Sequence, residues 1–135
     1  MPAEIPDHTI LLMRLVFAAN ILVAGYVGVF ALFAPGAAES MVFQNTDTVG
    51  PAARVTGAFW IAIALASMIG LIAPAAMAPV LLIQLLYKGL WLAAVAAPAL
   101  LADPRRPIPT AMAGFFLVWV AALPWVIPWK AMFVR

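Results

Sequence analysis

The chain has 135 residues, of which 67% are hydrophobic and 9% charged; soluble domains carry about 45–50% apolar and about 25% charged residues, so a water-soluble fold is excluded and lipid must be part of the solvent. The net charge of +2 comes from scattered basic residues and gives no basis for a nucleic-acid partner. There is no cysteine and one histidine, His8, which excludes disulfides, thiol chemistry, cysteine-ligated metals and a haem held by two histidines of one chain.

The length allows a single integral membrane domain, residues 1–135, without a separate soluble module. A membrane span needs about 20 apolar residues to cross roughly 30 Å of hydrocarbon. The first candidate covers 10–33 and stops at Ala34-Pro35-Gly36. Acidic Glu4 and Asp7 precede it, and its apolar run exceeds the roughly 7–15 residues of a signal-peptide core, so it reads as a true span. Arg14 can snorkel to phosphate headgroups, Asn20 reads as a helix–helix hydrogen bond, and His8 reads as a surface residue. The connection 34–52 is the one long loop. It holds the polar run Gln44-Asn45-Thr46-Asp47-Thr48, which marks it as partner-facing, and Met41-Val42-Phe43 can dip into the lipid surface.

The second candidate covers 53–72 and ends before Pro74. Arg54 opens it, within reach of headgroups or of Asp47 and Glu39. Ala58, Ala62, Ala66 and Gly70 place a small residue at every fourth position, a ladder that lets another helix approach closely. That helix belongs either to the same bundle or to another subunit; Ala24 and Gly28 offer the same spacing on the first span. The connection 73–78 is short and uncharged, which predicts a tight antiparallel hairpin.

The third candidate, 79–101, carries the one constellation with chemical potential. Gln84, Tyr87, Lys88 and Trp91 stand at i, i+3, i+4 and i+7, within roughly a 100° arc of one helix face. Lys88 follows Pro79 by nine residues, or about 13 Å of rise, and an uncompensated lysine at such depth costs at least about 2.5–3.5 kcal/mol on insertion scales. Three readings follow. Lys88 snorkels toward the end of the helix where Glu4, Asp7 and the terminal carboxylate lie; it gives up its proton; or it faces a cavity and binds an anionic or carbonyl-bearing ligand. The acidic residues all fall in tails or loops, so Asp7 or Glu4 folding inward is the best internal counter-charge.

The fourth candidate, 110–129, follows the charged, proline-rich connection 103–109. Trp119, Trp125 and Trp129 line it. Trp125, Trp129 and Lys130 form an interfacial anchor, since indoles prefer the headgroup level; a tryptophan site for a pigment or quinone is the alternative. Pro124 and Pro128 kink or end the helix. Runs apolar on both faces exclude a barrel. The predicted fold is therefore all-α, a four-helix transmembrane bundle with both termini on the same side. Arg14, Lys130 and Arg135 balance Arg54, Arg105 and Arg106 across the two sides, so basic residues do not orient it; the paired arginines lean toward a cytoplasmic 103–109.

Phosphate-cradling glycine loops, spaced metal ligands and a nucleophile with its base are all missing from the pattern, which argues against an enzyme. Arg14-Leu15-Val16 opens a helix that ends in Ala34-Pro35, and after a loop Arg54-Val55-Thr56-Gly57-Ala58 opens the next. This layout resembles the small four-helix bacterial membrane proteins of the DoxX-like group and covers most of the chain. The resemblance implies the architecture, a bacterial cytoplasmic (inner) membrane and a link to bioenergetics, some members being membrane partners of quinone-linked oxidoreductases; it carries over no site residue. The first expectation is a non-catalytic accessory subunit of a larger respiratory or photosynthetic membrane complex, with lipids and other membrane subunits as partners. The alternative is a membrane-embedded binder of a small molecule, lipid or quinone that uses Gln84, Tyr87, Lys88 and Trp91.

Overall fold

A computed structural model of the chain describes residues 4–46 and 50–134. Among these the regular elements are all helical: α1 (Asp7–Phe33), α2 (Pro35–Met41), α3 (Pro51–Ile72), α4 (Pro74–Trp91), a π-helical turn (Leu92–Ala96), α5 (Ala97–Leu101), α6 (Thr110–Val126) and α7 (Trp129–Phe133). The stretch Pro74–Leu101 is one continuous helix. It, α1 and α3 are long and apolar enough to cross a membrane, at 28, 27 and 22 residues. At 1.5 Å per residue these span roughly 42, 40 and 33 Å. The apolar helix α6 has 17 residues, or about 25 Å.

Prolines set most of these boundaries. Pro35, Pro51 and Pro74 each open a helix, where the missing N–H costs nothing and the fixed φ suits the first turn. The residue before each is pushed out of the helical region by the pyrrolidine ring: Ala34 has φ −133°, ψ 63°, Gly50 φ −81°, ψ −174°, and Ala73 φ −125°, ψ 71°. Ile127, before Pro128, is likewise extended at φ −68°, ψ 126° and stops α6. The predicted spans shift accordingly. The first begins at Asp7 rather than 10, the second at Pro51 rather than 53, and the third at Pro74 rather than 79. The fourth ends at Val126 rather than 129. The connection predicted over 73–78 shrinks to Ala73 alone. Pro79 and Pro124 lie inside helices.

Pro98 acts differently. It removes one helix hydrogen bond and crowds the carbonyl four residues earlier, and the π-helical turn lies just before it. That turn inserts one residue into the helix register. As a result Ala96 is buried while Val95 is 46% exposed.

The most extensive helix pairing is α1 along α3. A methyl added to Gly28 would lie 3.0 Å from the Gly57 carbonyl oxygen, and one on Gly57 would lie 2.5 Å from the Leu32 amide nitrogen. A methyl on Gly70 would enter the ring of Phe17 at 2.7 Å. The inward face of α3 is thus Gly57, Trp60, Ile63, Ala64, Ser67 and Gly70. The predicted small-residue ladder shares only its last rung with this face: Gly70 is buried and Ala66 half-buried, while Ala58 and Ala62 are exposed.

The region read as one long loop is partly helical and packs inward. Val42 is buried, and Phe43 stacks on Trp60 at 6.2 Å instead of dipping into lipid. Gln44 and Asn45 turn the chain with φ of 51° and 54°. The Gln44 Oε1 then accepts from the Ala111 N–H (3.1 Å) and the Thr110 hydroxyl (3.2 Å). The connection therefore caps the start of α6, where backbone N–H groups lack helical partners. Asp47, one expected partner of Arg54, lies outside the described residues, as does Arg135.

At the other end of α6 a similar substitution occurs. Pro128 stands where an N–H should reach the Pro124 carbonyl, and the Trp129 indole N–H donates to that carbonyl instead (2.7 Å). Trp125 is 83% exposed, and Trp129 and Lys130 are exposed beside it. Exposed apolar side chains run along the helices, from Leu22 on α1 through Ile72 on α3 to Leu101 and Val118.

Candidate functional site

The interior holds a small apolar cluster of Ala96, Ala99 and Ile108 and two larger ones separated by a polar layer. One cluster joins Met13, Phe17, Ala78, Leu81, Leu123, Val126 and Ile127. The other joins Ala31, Ala38, Val42, Trp60, Ile63 and Phe116. On each long helix the polar residue falls between members of the two. Asn20 follows Phe17 on α1, Ser67 lies between Ile63 and Gly70 on α3, Gln84 follows Leu81 on α4, and Trp119 follows Phe116 on α6.

The layer is closed by hydrogen bonds. The Asn20 amide donates to the Ser67 hydroxyl at 3.2 Å, the interhelical bond expected of it. Gln84 Oε1 accepts from the Trp119 indole (3.0 Å) and from Lys88 Nζ (3.2 Å). Lys88 Nζ also donates to the Tyr87 hydroxyl (2.8 Å) and lies 4.4 Å from the Tyr87 ring centre and 5.4 Å from that of Phe116. Both neighbours of the Gln84 amide oxygen are donors, which fixes the amide orientation. Its nitrogen is left as a buried donor without an acceptor in the structure.

Lys88 is deeper than its spacing from Pro79 suggests. It is 3% exposed and has fourteen residues of the 28-residue helix before it and thirteen after. Its distance from the start of α4 is roughly 21 Å, far beyond the reach of a lysine side chain. The side chain does lean toward the helix N-terminus, as geometry requires. However, it stops one turn back at Gln84, while Glu4 and Asp7 remain exposed at the start of the chain. The hydrogen bonds it makes are to neutral acceptors.

Of the predicted stripe, Gln84 and Lys88 are buried and Tyr87 and Trp91 half-buried. Tyr87 and Trp91 both meet Phe116 edge-on, at 5.7 and 5.4 Å, and Phe59 meets Tyr87 at 5.2 Å. A cavity of about 220 Å³ adjoins Lys88 and Tyr87 and is bounded by α1, α2, α3 and α6. Asn20 supplies polar wall, and Val27, Val42, Trp60, Met112 and Phe115 supply apolar wall. Trp91 does not reach it. A second, aromatic groove lies across the Trp60–Tyr87–Phe116 wall, lined by Trp91, Phe43 and Phe59. The stripe is thus divided: Tyr87 and Lys88 line the cavity, Gln84 holds Lys88 from below, and Trp91 faces the groove.

Trp119 joins the Gln84–Lys88 hydrogen bonds and Ser67 pairs separately with Asn20; neither role is singled out by the sequence. Trp119 reads as part of the tryptophan anchor, and a lone serine in an apolar helix carries no signal until Asn20 stands opposite. Among the described residues no group of acidic or histidine side chains is arranged to hold a metal ion. No family model, curated protein or solved structure matches the chain.

Proposed function

We propose that this chain is a four-span integral membrane protein that holds a small, mainly apolar molecule in the cavity beside Lys88. One observation carries this reading. A lysine at the midpoint of a membrane-length helix, with two of its N–H groups on neutral acceptors, lines a cavity. An ammonium has three donors, so one remains for an occupant. Burying such a group is costly, and most helices avoid it. In this reading α6 supplies the fourth span, despite its 17 residues, with α7 and the exposed Trp125, Trp129 and Lys130 at the headgroup level. The clustering of Met13 with Val126 and Ile127 supports both termini on one side. The chemistry is binding rather than catalysis, since Lys88 has no titratable partner within hydrogen-bonding distance other than Tyr87.

Native mass spectrometry of the protein released from mild detergent tests this. The wild type is expected to carry a stoichiometric small-molecule adduct that Lys88→Met loses while its unfolding midpoint is retained. A bare wild-type chain from native membrane would sink the idea. A neutral quinone and a lipid are both within the class of occupant, and the resemblance to DoxX-like proteins would link the quinone case to an oxidoreductase in a bacterial cytoplasmic membrane.

The outward placement of Ala58 and Ala62 favours a second reading, the accessory subunit of a larger respiratory or photosynthetic membrane complex. Small residues facing outward allow close approach by a helix of another chain. Gentle solubilisation is then expected to yield the chain together with larger membrane subunits, and Ala62→Leu to release it without unfolding it. Recovery as a lone, monodisperse chain would count against that reading.

A further inference from the structure

The occupant's head group can be narrowed from the balance of donors and acceptors, on the premise that the Lys88 cavity binds a small molecule. Gln84 Oε1 already accepts two hydrogen bonds, and the Gln84 amide nitrogen is a buried donor with no acceptor. The Tyr87 oxygen accepts from Lys88, which leaves its own proton to give. As an ammonium, Lys88 keeps one of its three N–H groups uncommitted. Gln84 lies behind Lys88, outside the lining; of the polar groups that line the cavity, Lys88 and Tyr87 present donors and Asn20 an amide with both a donor and an acceptor, so donors outnumber acceptors there, and the amine has no carboxylate among its hydrogen-bond partners. A carboxylate is the complementary group: it has two oxygens, about four acceptor sites and no donor, and it brings the missing charge. A neutral carbonyl satisfies the hydrogen bond but leaves the ammonium unpaired.

The rest of the cavity suits one acyl chain. Beyond Asn20, Tyr87 and Lys88 the wall is apolar. Its volume of about 220 Å³ exceeds the ~150 Å³ that holds a benzene ring, but it has no room for a glycerol head with two chains. Val23 and Met41 line the cavity and are 38% and 52% exposed. They mark an opening between α1 and α2 through which the remainder of a chain can reach hydrocarbon. We propose that the Lys88 cavity binds the carboxylate head and first methylenes of a single-chain fatty acid, with the tail leaving between Val23 and Met41.

The test uses the full chain in phosphatidylcholine nanodiscs with carboxyl-¹³C-labelled myristate. A protein-bound carboxyl resonance, separate from that of acid dissolved in empty nanodiscs, is expected to saturate at one per chain. Unlabelled myristate should displace it, whereas methyl myristate and a decyl-substituted benzoquinone should not. Lys88→Met is expected to weaken binding at least tenfold. Met41→Trp, at an exposed position that cannot disturb the core, is expected to weaken it as well by narrowing the opening. Displacement by the ester or the quinone as effective as by the acid would overturn the anionic head group and leave the cavity-ligand reading standing. Unchanged binding in both variants would overturn the site. No saturable binding of acid, ester or quinone would remove both readings.

Discussion

Replacement of Gln84 by leucine should destabilise the folded chain by about 2–4 kcal/mol, although leucine is the more apolar residue and the position is fully buried. Gln84 Oε1 is the shared acceptor for the Lys88 amine and the Trp119 indole. A hydrogen bond to a charged group contributes about 1.5–3 kcal/mol, and an orphaned buried donor costs about 1–3 kcal/mol. Removing the unpartnered amide nitrogen offsets part of this loss. The double variant Gln84→Leu/Lys88→Met should recover part of the stability, because it removes the amine that Gln84→Leu alone deprives of an acceptor, while the Trp119 indole stays without one. The pair therefore defines a coupling energy of opposite sign to the loss from Gln84→Leu alone. It is measurable by unfolding in mixed micelles of a mild detergent and dodecyl sulfate. A Gln84→Leu protein as stable as the wild type would mean that the polar layer does not hold the bundle, and that Lys88 is supported some other way.

The second large effect is steric. Gly57→Ala should cost about 3 kcal/mol, the upper end of overpacking penalties, and should loosen α1 from α3. The added carbon would lie 2.5 Å from the Leu32 nitrogen and 2.8 Å from the Ala31 carbonyl carbon. These are backbone atoms, and no rotamer change relieves the clash. Carbon contacts are comfortable at about 3.5–4.0 Å, so the helices must part by roughly 1 Å along their seam. Ala58→Leu, one residue on, is the control. Ala58 faces outward, and its substitution should change folding stability by no more than about 0.5 kcal/mol. If Ala58→Leu were the more damaging of the two, the helix rotation described above would be wrong. Disulfide trapping between paired cysteines introduced at Ala31 and Trp60, as against Ala31 and Ala62, would report the same rotation directly.

Much of the architecture was legible because proline speaks locally. Pro35, Pro51, Pro74 and Pro128 mark helix edges through a clash and a missing donor, neither of which depends on the rest of the fold. The apolar composition and run lengths predict four spans for the same reason, of which three are membrane-length helices and the fourth is the shorter α6. Yet the boundaries moved by two to five residues, since a proline at the first helical position opens a helix that a reading of hydrophobic runs places after it. The Gln84–Trp91 stripe was legible as well, because four polar or amphipathic residues at helical spacing stand out against leucine and alanine.

What the sequence could not reveal by itself was which way each helix faces. A soluble helix declares its inner side by contrast with its polar side. Here α1, α3 and α6 are apolar all round, so the pattern contains no such contrast. The ladder through Ala58, Ala62 and Ala66 is a plausible seam by spacing, but the one that packs runs through Gly57, Trp60, Ala64 and Ser67, on roughly the opposite face of the helix at about 100° per residue. Shape decided it, through the fit of Gly57 against Ala31 and of Gly70 against Phe17. The same holds for the site. Sequence alone determined that Lys88 sits deep in an apolar helix and must be accommodated. Only tertiary packing decided how: it brought Trp119 to Gln84 from a helix 35 residues away, set Asn20 opposite Ser67, and left a cavity where α2 closes over the end of the bundle. Those are relations between helices, and they follow from the fit of side chains across interfaces that hydrophobicity, equal on every face, cannot specify.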